Sequence, residues 1–351
     1  MFEFASENTI LALIGLIGGT LLGLAARIGR FCTLGALEDF IYGGNDTRMR
    51  MWGVSIGASI LGVFGLSALG LFDPTQSLYL VQSANIIAAI IGGLMFGYGM
   101  ALCGNCGYGA LARLGGGDLR SFVIVIIMGI SAYVVLSGPL APLRVTLFPP
   151  IENTGTPDGI AHMLASALGV SSQVIGVFIG TGIVIAMLIN RAFRQDIKSV
   201  FWALIVAGAI VSAWIGTHWV ADVGFAATQV ASHTFSAPVG DTIVYAMLGS
   251  ALSPNFAIGS VCGVLIGAFI GSLFKGHFRW EACEDPRELR RQIIGAAIMG
   301  AGAVIAMGCS VGQGISAFSV LALTAPITFA SIFAGAWFGL RQLIEGFNRI
   351  D

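Results

Sequence analysis

Nine stretches of this chain contain no Asp, Glu, Lys or Arg: 10–26, 52–71, 86–102, 122–136, 174–189, 200–220, 243–274, 293–307 and 327–340. Charged residues make up 10% of the 351, against about a quarter in soluble domains. A water-soluble fold would need a polar surface that these residues cannot supply. The stretches also lack the apolar–polar alternation of half-buried strands, so a large α/β core is excluded. About 20 apolar residues cross a bilayer upright. Several stretches are shorter than that and end in glycine-rich tracts, which predicts helices broken inside the bilayer. The expected fold is an all-α polytopic membrane protein of about nine transmembrane helices plus broken or re-entrant short helices.

Two segments look like copies of each other. At a constant offset of 203 residues, Gly92, Gly97, Gly99, Cys106 and Gly109 match Gly295, Gly300, Gly302, Cys309 and Gly312. Internal duplication with an interrupted apolar segment in each half points to a transport site at the repeat interface. The predicted organisation is a first transmembrane repeat over 1–136, an outward-facing loop over 137–172, and a second repeat over 173–351. Lys and Arg concentrate between the first two stretches, between the fifth and sixth, before 293 and in the tail, whereas 137–172 has one Arg and 221–240 none. The positive-inside rule then sets the N-terminus outside and the C-terminus in the cytoplasm. The copy ending at Cys106 runs inward and the copy ending at Cys309 runs outward, as in an inverted repeat. The acidic N-terminus does not read as a signal peptide.

Glycine is the other unusual number, at 50 residues. Gly15, Gly19 and Gly23 share one helical ridge, and Gly259, Gly263, Gly267 and Gly271 another. Small residues at this spacing let helix backbones approach closely in lipid. The second ridge is expected to press on a partner helix. Within the apolar stretch 243–274, Ser253-Pro254-Asn255 should break off a half-helix over 243–252.

Six cysteines carry the candidate chemistry. Cys103 and Cys106 form a Cys-x-x-Cys, but a zinc site needs four ligands, and no second such pair exists. No metal and no cofactor is expected. Cys262 lies in the glycine ridge and reads as a small inert hydrophobe. Cys283 lies in the charged loop before 293, and neither it nor Cys103 has a role assigned. Cys32, Cys106 and Cys309 differ: each is followed within three residues by glycine, where the helix pattern falters. Unwound backbone at membrane depth exposes N–H groups that hold anions. A thiol beside them adds a weak donor and a polarizable sulfur, which suits a small anion that itself carries sulfur. The candidate path residues are Cys32, Cys106, Cys309, Gly107, Gly109, Ser310 and Gly312. Arg113 and Arg120 flank Gly115-Gly116-Gly117-Asp118 and would attract an anion at one mouth, or simply set topology.

Three motifs carry a resemblance: Gly-Arg-Phe-Cys-Thr-Leu-Gly-Ala at 29–36, Gly-Asn-Cys-Gly-Tyr-Gly-Ala-Leu-Ala-Arg at 104–113 and Gly-Cys-Ser-Val-Gly-Gln-Gly at 308–314. At these motifs the chain resembles the YeeE/YedE family, whose bacterial members include thiosulfate-uptake transporters. The resemblance implies an hourglass-like inverted repeat in the inner membrane. It also implies that thiosulfate, or a related reduced-sulfur anion, passes the thiols of Cys32, Cys106 and Cys309 at successive constrictions. It further implies a small soluble sulfur carrier of the TusA type as a partner. The segment 275–292, where Asp285-Pro286 looks like the start of a short polar helix, is a candidate docking surface or a solvated connector. The alternative function is a membrane sulfurtransferase or thiol oxidoreductase that uses covalent persulfide or disulfide chemistry.

Overall fold

The computed structural model describes residues 6–82, 85–149, 159–225, 228–282 and 285–345, which are helical almost throughout. Cys283 falls outside the described residues. The helices are α1 (Glu7–Arg27), α2 (Thr33–Ile41), α3 (Thr47–Ala68), α4 (Leu78–Val81), α5 (Ile86–Cys103), α6 (Gly107–Gly115), α7 (Leu119–Leu136) and α8 (Ala141–Leu147). They continue as α9 (Ile160–Leu168), α10 (Ser172–Leu188), α11 (Arg191–Gln195), α12 (Ile197–Val223), α13 (Ala237–Leu248), α14 (Phe256–Phe274), α15 (Pro286–Ile305) and α16 (Thr324–Glu345). Between α15 and α16, Gly312–Ala317 winds as a short π-helical segment.

Small polar side chains start the long helices. The side chains of Ser6, Asn85, Asp118, Asp196, Asn255 and Asp285 each accept a backbone N–H from the first turn of the helix they precede. Such caps satisfy donors that have no intrahelical partner.

Among the described residues, seven helical spans are long and apolar enough to cross a bilayer. They are α1, α3, α5 with α6, α7, α12, α14 and α16. An eighth is reached if α9 and α10, bent by 119°, form one span. The count of about nine therefore counts α15 as well. Its apolar part, 293–305, follows two turns carrying Arg287, Glu288, Arg290 and Arg291. The expected separate polar helix there is instead the start of α15 itself. The half-helix expected over 243–252 lies at Ala237–Leu248. Pro238, in the first turn, needs no N–H partner there, so the helix starts earlier than the charge-free stretch suggested.

The duplicated segments meet face to face. A Cβ on Gly92 would lie 2.7 Å from the Gly302 carbonyl, and one on Gly99 would lie 2.5 Å from the Gly295 carbonyl. The rising number on one helix meets the falling number on the other, so α5 and α15 are antiparallel. Because Gly92 matches Gly295 and Gly99 matches Gly302, the contact is self-complementary, as about a local two-fold axis. Flanking pairs repeat the pattern: α5 packs on α16 as α15 packs on α7, and α14 packs on α1 as α3 packs on α12.

The two glycine ridges face each other. Cβ atoms on Gly15, Gly19 and Gly23 would come within 2.2, 2.2 and 2.3 Å of α14 backbone oxygens. Those on Gly259, Gly263 and Gly267 would come within 1.9, 2.3 and 2.1 Å of α1 oxygens. This is the close backbone approach expected of the second ridge, and its partner is the first.

Candidate functional site

Three cysteines occupy one recurring backbone device. Each stands two residues after a left-handed residue: Arg30 (φ 56°) before Cys32, Gly104 (φ 73°) before Cys106, and Met307 (φ 57°) before Cys309. In each case a helix ends shortly before the left-handed residue and a new helical segment starts just after the cysteine. Arg30 and Met307 are not glycine, and a side chain in this conformation costs on the order of 1–3 kcal/mol, a strain typical of functional sites.

Cys106 caps α6, and its sulfur accepts the Gly109 N–H at 3.3 Å. Cys309 does the same for the segment after it, accepting the Gly312 N–H at 3.4 Å. Each sulfur thus holds the third N–H of its helix start, while the first two stay without intrahelical partners. Cys32 precedes α2 in extended conformation and makes no such bond. Cys106 and Cys309 are fully enclosed, and Cys32 is half-buried.

The expected path residues converge. Cys106 has Cys32, Ser310 and Cys309 as neighbours. Ser310 is completely buried, with its hydroxyl against the Cys106 thiol. Gly109 and Gly312 supply the N–H groups just described. Gly107 lets the start of α6 sit on Met128: a Cβ there would lie 2.6 Å from the Met128 sulfur. Cys103 turns away from Cys106 and donates its S–H to the Gln292 carbonyl at 3.3 Å. Cys262 is half-buried on α14, and all five described cysteines are free thiols. Among the described residues, no cluster of three or more His, Cys, Asp or Glu could hold a metal ion.

The sequence did not single out several residues that the fold brings here. Thr33 Oγ1 donates to the Cys106 sulfur at 3.9 Å, and Thr234 Oγ1 lies 3.5 Å from the Cys309 sulfur. A Cβ on Gly312 would lie 2.5 Å from Thr234 Oγ1 and 3.2 Å from the Tyr79 hydroxyl, so only glycine fits between them. Thr33 was visible inside the Cys32 motif. Thr234 and Tyr79 come from distant segments with no motif of their own.

Cys32 lines an open cavity of about 440 Å³. Arg27, Arg30, Arg48, Arg113 and Lys275 line it too, with Glu38 as the one carboxylate among the described lining residues and Gly109 also in the lining. Arg48 pairs with Asp39 at 3.2 Å, whereas among the described residues no carboxylate lies within 4.0 Å of Arg30 or Arg113. Burial, with Arg30 and Arg27 close by, lowers the Lys275 pKa below that of an ordinary lysine. Such a crowd of cations destabilises itself unless an anion enters. Arg113 thus shares this cavity with Cys32. Arg120 does not: it pairs with Asp118 at 3.3 Å and Glu281 at 3.7 Å, outside the cavity.

A difference between two arginines follows. Arg113→Ala should raise the anion concentration for half-maximal binding several-fold, since one nearby unit charge in a wet cavity contributes roughly 1 kcal/mol. Arg120→Ala should leave it unchanged. Concentration series for both variants at low and high salt check this, and the Arg113 effect should shrink as salt screens it.

Comparison with known proteins agrees with the geometry. Residues 28–338 match the family described as "Sulphur transport". A thiosulfate transporter, TsuA, of Escherichia coli K12 is 26% identical over 347 residues, covering 95% of this chain and 92% of the relative. A thiosulfate transporter, TsuA, of Spirochaeta thermophila is 23% identical over 338 residues, covering 92% and 96%. A helical membrane fold with antiparallel matched segments, buried thiols at helix starts and a family match across most of its length together mean that this chain belongs to the sulphur-transport family of multi-pass membrane proteins.

Proposed function

We propose that this protein takes up thiosulfate, or a closely related reduced-sulfur anion, across the bacterial inner membrane along the thiols of Cys32, Cys106 and Cys309. The observation that carries this reading is the matched pair of thiol caps in two antiparallel segments. A bare dianion in hydrocarbon would cost tens of kcal/mol. Helix starts, each with free N–H groups and a thiol, offset that cost without a fixed buried charge. The cation-lined cavity leads to Cys32, then to Cys106, and Ser310 and Cys309 continue the route. The names of the two relatives support thiosulfate as the substrate.

The remaining assignments belong to the same proposal. Residues 1–136 and 173–351 form the two repeats, joined by 137–172 facing outward. The N-terminus lies outside and the C-terminus in the cytoplasm, so the cationic cavity opens inward. A TusA-like carrier would collect sulfur at that mouth, near 275–292. The covalent alternative, sulfurtransferase or oxidoreductase chemistry, is disfavoured by Cys103, whose thiol faces Gln292 rather than Cys106.

The test is uptake of labelled thiosulfate into proteoliposomes with excess unlabelled sulfate. Sulfate matches thiosulfate in charge but offers oxygen where the soft sulfur would be. Thiosulfate should outcompete sulfate by at least roughly tenfold, about 1.4 kcal/mol. Cys106→Ser and Cys309→Ser shorten the donor's reach and remove its polarizability, and should lose uptake. Equal competition by sulfate in the parent protein would rule out sulfur-specific recognition. Mass spectrometry during turnover separates the covalent alternative: a conduit keeps free thiols, whereas an enzyme accumulates added sulfur.

A further inference from the structure

Each matched thiol has a threonine hydroxyl on it, and the two threonines come from counterpart places. Thr33 opens α2, the short helix between α1 and α3. Thr234 stands just before α13, the short helix between α12 and α14. The rest of the device is repeated too: helix, left-handed residue, cysteine cap, N–H from the third residue on. A hydroxyl contact that recurs with it is part of the same construction.

These hydroxyls behave unlike others in the chain. Thr20, Thr181, Thr217 and Thr242 each donate back to the carbonyl four residues earlier in their own helix, at 2.7–2.9 Å. That is the ordinary outlet for a helical threonine. Thr33 is the first residue of its helix and Thr234 is in none, so neither has that outlet, and both turn to sulfur.

We propose that Thr33 and Thr234 are positioning residues that hold Cys106 and Cys309 as hydrogen-bond donors toward the passing anion. A thiol is a weak acceptor and carries one weak donor. At Cys106 the Gly109 N–H and the Thr33 O–H occupy the sulfur's acceptor positions. Only the S–H remains to be offered. At Cys309 the Gly312 N–H takes one such position, and the Thr234 hydroxyl, 3.5 Å from the sulfur, is placed to take the other. A thiol fixed this way turns its hydrogen, not its lone pairs, toward negative charge. Freed from the threonine, it can rotate and present electron density that repels the anion. The glycine at 312 belongs to this arrangement, because any side chain there would displace Thr234.

The proposal rests on the transport reading above and deepens it. Its test compares Thr33→Val and Thr234→Val, which keep the β-branched shape but lose the hydroxyl, with Thr33→Ser and Thr234→Ser, which keep the hydroxyl. Uptake is measured across thiosulfate concentrations, with and without sulfate. A lost hydrogen bond should raise the half-saturating thiosulfate concentration roughly three- to tenfold in each Val variant. Sulfate should also compete better, because the sulfur-facing donor is no longer fixed. Each Ser variant should stay close to the parent in both respects. A purely structural role would lower the maximal rate and leave half-saturation and sulfate competition unmoved. Val variants with the parent's half-saturation and selectivity, or Ser variants as impaired as Val, would overturn the proposal. Absence of thiosulfate uptake by the parent protein itself would overturn the transport reading, and this proposal with it.

Discussion

Cys106→Ala and Cys309→Ala should each abolish thiosulfate uptake while the protein still inserts and folds. Both side chains are fully enclosed, so alanine removes one sulfur and leaves a small void. A cavity of that size costs roughly 1–2 kcal/mol of stability. The functional loss is far larger. Alanine removes the S–H donor and also the cap on the Gly109 or Gly312 N–H. The anion then meets a bare methyl group at a constriction with no fixed positive charge. Cys32→Ala should act in the same direction, since Cys32 lines the cationic cavity. Cys262→Ala should be nearly silent. The check is initial uptake rate in proteoliposomes, normalised to folded protein by size-exclusion profile. Full transport by the Cys106 or Cys309 variant would sink the thiol route.

Gly267→Leu should fail by a different route and give little folded protein. A Cβ at this position would lie 2.1 Å from the Thr20 carbonyl oxygen, and backbone cannot swing aside as a flexible side chain can. The neighbouring pairs, Gly263 against the Leu16 carbonyl and Gly259 against that of Ala12, are similarly tight. The whole α1–α14 contact must open to admit one leucine. Overpacking in ordinary cores costs about 1–3 kcal/mol. Here the loss extends along the ridge, because the van der Waals contacts that hold helices together in lipid depend on this approach. Gly208→Ala on α12 is the control, since a Cβ there meets nothing within 4 Å. Yield and melting temperature in mild detergent check the pair. A stable, active Gly267→Leu protein would mean that this face does not bear the packing.

Much of this was legible in the sequence, for identifiable reasons. Membrane class followed from the absence of charge over long stretches, because lipid leaves no other option for such residues. The glycine ridges followed from spacing on a helix, which is a local property. The matched backbone setting of Cys106 and Cys309 followed from duplication, since matched residues at a fixed offset tend to occupy matched backbone. Helix ends were less legible. Pro238 moved the start of α13 forward, and the charged turns of α15 joined its apolar part, because hydropathy does not mark where a backbone starts to coil.

The sequence by itself determined the medium, the repeat and the identity of the thiols, all of which depend on neighbours along the chain. Only the tertiary structure decided what surrounds those thiols. Thr234 reaches Cys309 from 75 residues away. Arg27, Arg30, Arg48, Arg113 and Lys275 gather around Cys32 from separate elements, while Arg120, seven residues past Arg113, is drawn off by Asp118 and Glu281. The physical reason is the antiparallel docking of α5 on α15. That contact is fixed by which glycines face each other across helices, and only once it forms do the two broken ends, with their thiols and hydroxyls, come together in one place.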